Sequence, residues 1–434
     1  MNLKDFAKEL FLKGIEAVLP SNLINESVSI QDSVLKIKKQ FINLKNFENL
    51  YVFGSGKASV EMAKAVENLL FNHIKDGLVV CNYTENLRKI EVMEGSHPVP
   101  DEKSLKAGEA LLEKMSSLSE NDFFIYLLSG GSSALIEKPI PPITLEDLQK
   151  TTKILLEHSV PIEDINAVRK HISLIKGGRL GTSTKASGMV LVISDVVGDD
   201  LETIGSAPLY FDRTTYQDVF KILEKYNLFD KLPENVKKVL KDGLEGKIPD
   251  TPKSPNPKIK HFIIGNNLKA LKRIQEEAQN SGFKTHILTS QIKGEAREVA
   301  KAIVSIGKES LSSNNPEKPP ACFLFGGETT VNVVGNGKGG RNQELCLAGL
   351  NEIKETKNII LLSGGTDGID GNSDAAGAVV DYESYLKSKG LGLDINQYLK
   401  NNDSYHFFKK TGDLIITGKT GTNVMDVIIL LVGG

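Results

Sequence analysis

Three cysteines in 434 residues, Cys81, Cys322 and Cys346, are too few and too widely spaced for a disulfide framework, and none stands at ligand-type spacing to a histidine. They read as buried thiols of a reducing cytoplasm. The chain also lacks charge of one dominant sign: 53 Lys and Arg face 55 Asp and Glu, with no long block of either. Such a balance argues against a nucleic-acid or membrane-surface partner. No apolar run approaches the roughly 20 residues of a membrane span, and Leu3, Phe6, Leu10 and Phe11, broken up by Lys and Glu, read as an amphipathic helix and not as an export signal. What is left is a cytoplasmic protein handling small molecules, with a homodimer as an allowed assembly.

The length exceeds what one hydrophobic core supports, so two domains are expected. Short apolar runs alternate with helical stretches: "LYVFG" (50–54) before "KASVEMAKAVENLLF", "FFIYLLSGG" (123–131) before a helix from about Leu145, and "GMVLVISD" (188–195) before "TTYQDVFKILEKY". Strands apolar almost throughout predict mostly parallel sheets buried on both faces, an α/β fold. Pro249, Pro252, Pro255 and Pro257 fall within 247–260, a stretch too proline-rich for a regular element and taken as the linker. The expected domains are 1–250 and 251–434. After the linker the alternation resumes with "HFIIGNN", "ACFLFGG" (321–327), an alternating run "TTVNVVG" (329–335) read as a strand, "NIILLSGGTDG" (358–368) and "VIILLV" (427–432).

Several corners between these elements are bare and charged. "FGSGKAS" (53–59) puts Lys57 at a helix start, where backbone N–H groups and a full positive charge favour an anion. It is not a Walker A loop, since Tyr51 stands where the first glycine belongs, and Ser59 replaces the third glycine of a dinucleotide fingerprint. "LSGGSSAL" (128–135) adds hydroxyls at a second strand end and lacks the G-x-S-x-G of a serine nucleophile. "NAVRKHISLIKGGRL" (166–180) offers Arg169 or Lys176 to an anionic ligand, with His171 read as a structural histidine. "GNGKGGRNQE" (335–344) leads into a helix through glycines at 335, 337, 339 and 340, and Arg341 in its first turn opposes the helix dipole and therefore asks for an acceptor. Asp195 and Asp367 each follow an apolar strand, a common position for a Mg²⁺ ligand or a base, whereas Asp370 and Asp374 read as turn formers. Cations and N–H groups for phosphates, with acids for Mg²⁺ and a hydroxyl proton, make up the inventory of phosphoryl transfer.

Taken in order, "GSGKAS", "SGGSSAL", "RKHISLIKGGRL", "VISDVVGDD", "FGGETTVNVVGNGKGGRNQEL", "GGTDGIDGNSDAAGAVVD" and "TGTNVMDV" resemble the glycerate 2-kinases of the MOFRL type over almost the whole chain. The resemblance implies a larger Rossmann-like amino-terminal domain, a smaller α/β carboxyl-terminal domain, a cleft active site, and ATP- and Mg²⁺-dependent phosphorylation of D-glycerate at its 2-hydroxyl. It puts the essential Lys on Lys57, the Arg on Arg341 and the acid on Asp367, with Asp195 as the second acid. Asp195 and Asp367 are then the metal and proton carriers. Gly54, Ser55, Gly56, Ser129, Gly130, Gly131, Ser132, Lys176, Gly339 and Gly340 are the expected substrate- or nucleotide-binding set. Two other activities fit parts of the pattern: a nicotinamide-dependent hydroxypyruvate reductase, and a sugar-phosphate-binding protein without catalysis.

Overall fold

The computed structural model describes residues 2–433, and the chain divides into two units. The central unit takes Leu23–Ser194 and Asp199–Ile264, and the terminal unit takes Met1–Asn22, Asp195–Gly198 and Gly265–Gly434.

The central unit opens with a small antiparallel sheet of β1 (Val28–Gln31), β2 (Val34–Ile37) and β3 (Gln40–Asn43). Its main sheet has six strands: β4 (Asn49–Ser55), β5 (Ile74–Cys81), β6 (Glu91–Glu94), β7 (Asp122–Leu128), β8 (Ser187–Ile193) and β9 (Ile259–Gly265), in the order β6-β5-β4-β7-β8-β9. The pairs β6–β5, β5–β4, β4–β7 and β7–β8 are all parallel, and the inner strands β4, β7 and β8 carry the near-continuous apolar sequences that suit a parallel sheet, whereas edge strand β6 is Glu-Val-Met-Glu. The chain winds outward from β4 in one direction and from β7 in the other. The carboxyl ends of β4 and β7 therefore form a topological switch point, the place where open α/β sheets bind ligands. A second apolar cluster in this unit joins the helices Leu145–Glu157, Ile162–His171, Tyr216–Lys225 and Glu234–Leu244.

The terminal unit holds β10 (Lys284–Ile292), β11 (Ala321–Gly327), β12 (Ile359–Gly365), β13 (Gly377–Val380), β14 (Leu414–Ile415) and β15 (Asp426–Val432), in the order β10-β11-β15-β12-β13-β14. Only β10 and β11 pair in parallel; β15 enters between β11 and β12 antiparallel to both. The sheet of this half is therefore mixed, within the α/β class expected for it. "DVIILLV" is buried on both faces whichever way its neighbours run, so its composition carries no direction.

Three expectations are corrected. Residues 329–335 form no strand: Thr330 makes one bridge to Glu295, and Val333 and Val334 are each 71% exposed. The proline-rich stretch is part of the central unit, fastened by Arg179 donating to the Pro249 carbonyl and by Asp250 accepting from His171, and "HFIIG" becomes edge strand β9 of the first sheet. The boundary at 250/251 is replaced by an interleaved division, because the helix Leu3–Ala17 packs in the terminal unit. Its Phe6 stacks on Phe283 at 5.4 Å between ring centroids, and its Phe11 ring covers Gly364. The three cysteines are buried free thiols.

Candidate active site

In the central unit the loops after β4 and β7 are fastened to each other. The Lys57 N–H donates to the Gly130 carbonyl at 2.9 Å, the Ala58 N–H to Ser129 Oγ at 3.0 Å, and the Ser129 N–H to the Ser55 carbonyl at 3.1 Å. Ser55 Oγ lies 2.7 Å from Tyr126 Oη and 2.6 Å from Ser132 Oγ, and all three side chains are buried. The residues from Gly54 to Gly56 and from Ser129 to Ser132 therefore meet at one corner, but much of their hydrogen-bonding capacity is spent within it. The group left to face a ligand is the half-buried Lys57 side chain, whose ammonium has no acid partner among the described residues.

Gly131, at φ +83°, leaves the space beside it. A β-carbon there would lie 3.1 Å from Lys57 Cγ and 3.2 Å from His97 Cδ2. His97, absent from the sequence-based site, therefore stands with Lys57 around one bare face. Desolvation and the Lys57 charge bring its imidazole down to about 4, so it is neutral at pH 7.

Lys176 has a different role from the one expected. It is 1% exposed and ion-paired with the fully buried Glu137, and burial pulls its ammonium down to about 8 against the attraction of that carboxylate. Ser173 Oγ donates to Glu137 at 2.6 Å, and Arg169 donates to the Ser133 carbonyl at 2.8 Å. Lys176 and Arg169 thus support the turn Ser132–Leu135 from inside, because Glu137 and the backbone supply the acceptors that a ligand was expected to supply. His171 is structural, with both ring nitrogens facing oxygen acceptors: the Ala167 carbonyl at 2.8 Å and Asp250 at 2.9 Å.

In the terminal unit the antiparallel entry of β15 sets Asp426 opposite both Gly327 and Gly365. That register brings Asp426 to the carboxyl ends of β11 and β12, beside Glu328 and Asp367. The helix Arg341–Ile353 starts at the same place. Arg341 donates from Nε to Asp426 Oδ2 at 2.5 Å and from Nη2 to Asp426 Oδ1 at 2.9 Å, while its Nη1 lies 2.8 Å from Glu328 Oε1. These carboxylates hold the guanidinium above its ordinary value in spite of its burial. Burial in turn raises the Glu328 carboxyl, as do the charges of Asp426 and Asp367. The acceptor that Arg341 demands is thus within the chain, which leaves only part of its donor fork uncommitted.

Asp370 caps the same helix. It accepts the backbone N–H groups of Asn342 at 3.1 Å and Gln343 at 2.9 Å, together with both their side-chain amides. Gly340 is bare because a β-carbon would fall 2.4 Å from Asp370 Cγ, and the Gly339 N–H goes to Asn372 Oδ1 at 2.9 Å. An open cavity of about 530 Å³ runs along this corner, with Glu328, Thr330, Val333, Gly340, Arg341 and Asn372 in its wall.

Asp367 is half-buried, and a β-carbon on Gly365 would lie 3.1 Å from its Oδ1 and 3.5 Å from Asp426 Oδ1, so the two carboxylates flank one open backbone face. Asp195, two residues past the end of β8, is half-buried and groups with the terminal unit. Among the described residues no three His, Cys, Asp or Glu side chains cluster to hold a metal by themselves. A pair of carboxylates suits Mg²⁺, which keeps several waters and takes phosphate oxygens. Asp426 and Glu328, missed in the sequence, carried one local signal each: an acid opening an apolar strand and an acid closing one.

Residues 6–241 match the family described as a domain of unknown function, DUF4147, and residues 321–426 match the MOFRL family. A glycerate 2-kinase of Pyrococcus horikoshii is 40% identical over 100% of this chain and 98% of its own length, and a D-glycerate 2-kinase of Thermotoga maritima is 41% identical over 99% of each. The chain belongs to the MOFRL-type glycerate 2-kinase family. The crystal structure of a glycerate kinase from Thermotoga maritima matches this kinase-family fold with a TM-score of 0.89 over 99% of both chains. A relative in Agrobacterium vitis, 38% identical over 88% of this chain and 87% of its own, is named for hydroxypyruvate reductase. In this member of the glycerate 2-kinase family, Lys57 stands at the switch point of the parallel sheet, and Arg341 and Asp367 stand where β15 enters the mixed one.

Proposed function

We propose that the protein transfers the γ-phosphoryl group of ATP to the 2-hydroxyl of D-glycerate, giving 2-phosphoglycerate and ADP. The full-length similarity to D-glycerate 2-kinases carries this reading, supported by a lysine at the switch point that has no acid partner among the described residues. The 2-hydroxyl oxygen forms the new bond to phosphorus as the bond to the β-phosphate oxygen breaks, and ADP leaves with that electron pair. Lys57 and the uncommitted edge of Arg341 offset charge on the phosphoryl oxygens and the glycerate carboxylate. Asp195 and Asp367 divide two duties: one takes the hydroxyl proton, and the other would hold Mg²⁺, Asp426 standing beside Asp367. Bound Mg²⁺ would supply charge neutralisation on the β- and γ-phosphate oxygens.

The reductase alternative lacks support at the β4 corner. The third glycine is Ser59, and the Lys57 and Ala58 N–H groups that a pyrophosphate would need are taken by Gly130 and Ser129. A coupled ADP-release assay with D-glycerate, L-glycerate and no acceptor, with and without Mg²⁺, tests the proposal, with the phosphorylated carbon identified by NMR. Mg²⁺-dependent ADP release with D-glycerate is expected. No release above background, or NADH oxidation with hydroxypyruvate in its place, overturns it.

A further inference from the structure

We propose that Lys57, His97 and the bare face of Gly131 form the subsite for the acceptor hydroxy acid, with Lys57 taking the carboxylate and His97 hydrogen-bonding the terminal hydroxyl. The inference rests on the kinase reading above. Three observations within the central unit carry it. Among the described residues the Lys57 ammonium has no acid partner, which leaves it for an anionic group. His97 is exposed, makes no hydrogen bond among the described residues, and brings its ring edge and the Lys57 stem to the same face of Gly131. The neighbouring backbone N–H groups at the helix start are spent on Gly130 and Ser129, so the corner offers one point charge and not the ring of donors that a triphosphate takes.

The polarity of the corner selects the ligand class. An ammonium beside a neutral imidazole complements a molecule with an anionic group close to an uncharged hydroxyl, because neutral imidazole both donates and accepts. Glycerate has that pattern. Inorganic phosphate carries its charge and its hydroxyl on one phosphorus and not on separate carbons, and lactate lacks the terminal hydroxyl.

The test uses the full-length protein and its His97→Ala and His97→Gln variants, with far-ultraviolet circular dichroism to confirm folding. Calorimetric binding of D-glycerate, D-lactate and inorganic phosphate is compared with the KM for D-glycerate and for ATP. Wild type is expected to prefer D-glycerate over D-lactate by about tenfold, a preference erased in His97→Ala, whose KM for glycerate rises by about the same factor. The KM for ATP is expected to stay within about twofold, and His97→Gln, which keeps a neutral donor and acceptor, to recover most of the loss. An undiminished preference in His97→Ala, a change in the KM for ATP in place of that for glycerate, or phosphate bound by wild type as tightly as glycerate overturns the assignment. A wild type that binds glycerate with a His97-dependent preference and releases no ADP sinks the kinase reading and leaves the subsite standing.

Discussion

Lys57 and Arg341 both follow glycine-rich turns at helix starts, yet they end in different electrostatic surroundings. Lys57 has no acid partner among the described residues, while Arg341 is tied to Asp426, whose side chain is 4% exposed, and to Glu328. Replacing Lys57 by Ala is expected to lower kcat/KM by about tenfold to a hundredfold, roughly 1.4–2.7 kcal/mol, with an unchanged melting temperature. Arg341→Ala is expected to lose activity to the same extent and about 1.5–3 kcal/mol of stability as well, because it strands carboxylates that now receive charge-assisted hydrogen bonds. Steady-state kinetics and denaturant unfolding of the two variants check the contrast; equal stability losses in both would refute it. The two acids separate by a different measurement. If Asp367 holds the metal, the rate of Asp367→Asn recovers as Mg²⁺ is raised, and that of Asp195→Asn does not.

Among the elements, the helix Arg341–Ile353 depends on Asp370 for its amino-terminal cap. Burial raises the Asp370 carboxyl to about 6 even though N–H groups donate to both its oxygens. A carboxyl raised in the folded state contributes stability that is full below its unfolded value of about 3.9 and is lost as pH climbs through about 6. The stability of wild type relative to Asp370→Asn is therefore expected to decline between about pH 4 and 6 and to level off above that range, as measured by urea unfolding at a series of pH values. The glycine corners, the starts of their helices and the apolar strands were legible in the sequence, because bareness, capping chemistry and burial on both faces are local properties. Strand direction was not, and Asp426 was hidden with it: only the antiparallel register of β15 carries that acid, 85 residues away in sequence, to Arg341. Lys176 misled for the same reason, since its partner Glu137 lies 39 residues back and nothing local marks the pair as buried.

For the molecule as a whole, the terminal unit is built from both ends of the chain. The helix Leu3–Ala17 buries Phe6, Leu10, Phe11 and Ile15, and at about 1.5–3 kcal/mol for each such side chain its removal forfeits on the order of 6–12 kcal/mol, as much as a domain's whole stability. Deletion of residues 1–22 is expected to leave the terminal unit unfolded and the protein insoluble, with folding restored when a peptide of that sequence is added in trans. Retention of the wild-type melting temperature after the deletion would contradict this placement of the helix.

Vectorial synthesis gives the interior position of β15 a temporal meaning. The strand that joins β11 to β12 follows every other strand of its sheet in the sequence, and the helix Leu3–Ala17 that packs in the same unit precedes them all. The nascent chain therefore carries the apolar face of that helix without a finished sheet until β15 has been made, while the parallel sheet of the central unit has all its strands by Gly265. Completion of the terminal unit, and with it the seating of Asp426 on Arg341, waits on the synthesis of β15, so the Arg341–Asp426 pair forms only after the other strands of both main sheets have been made.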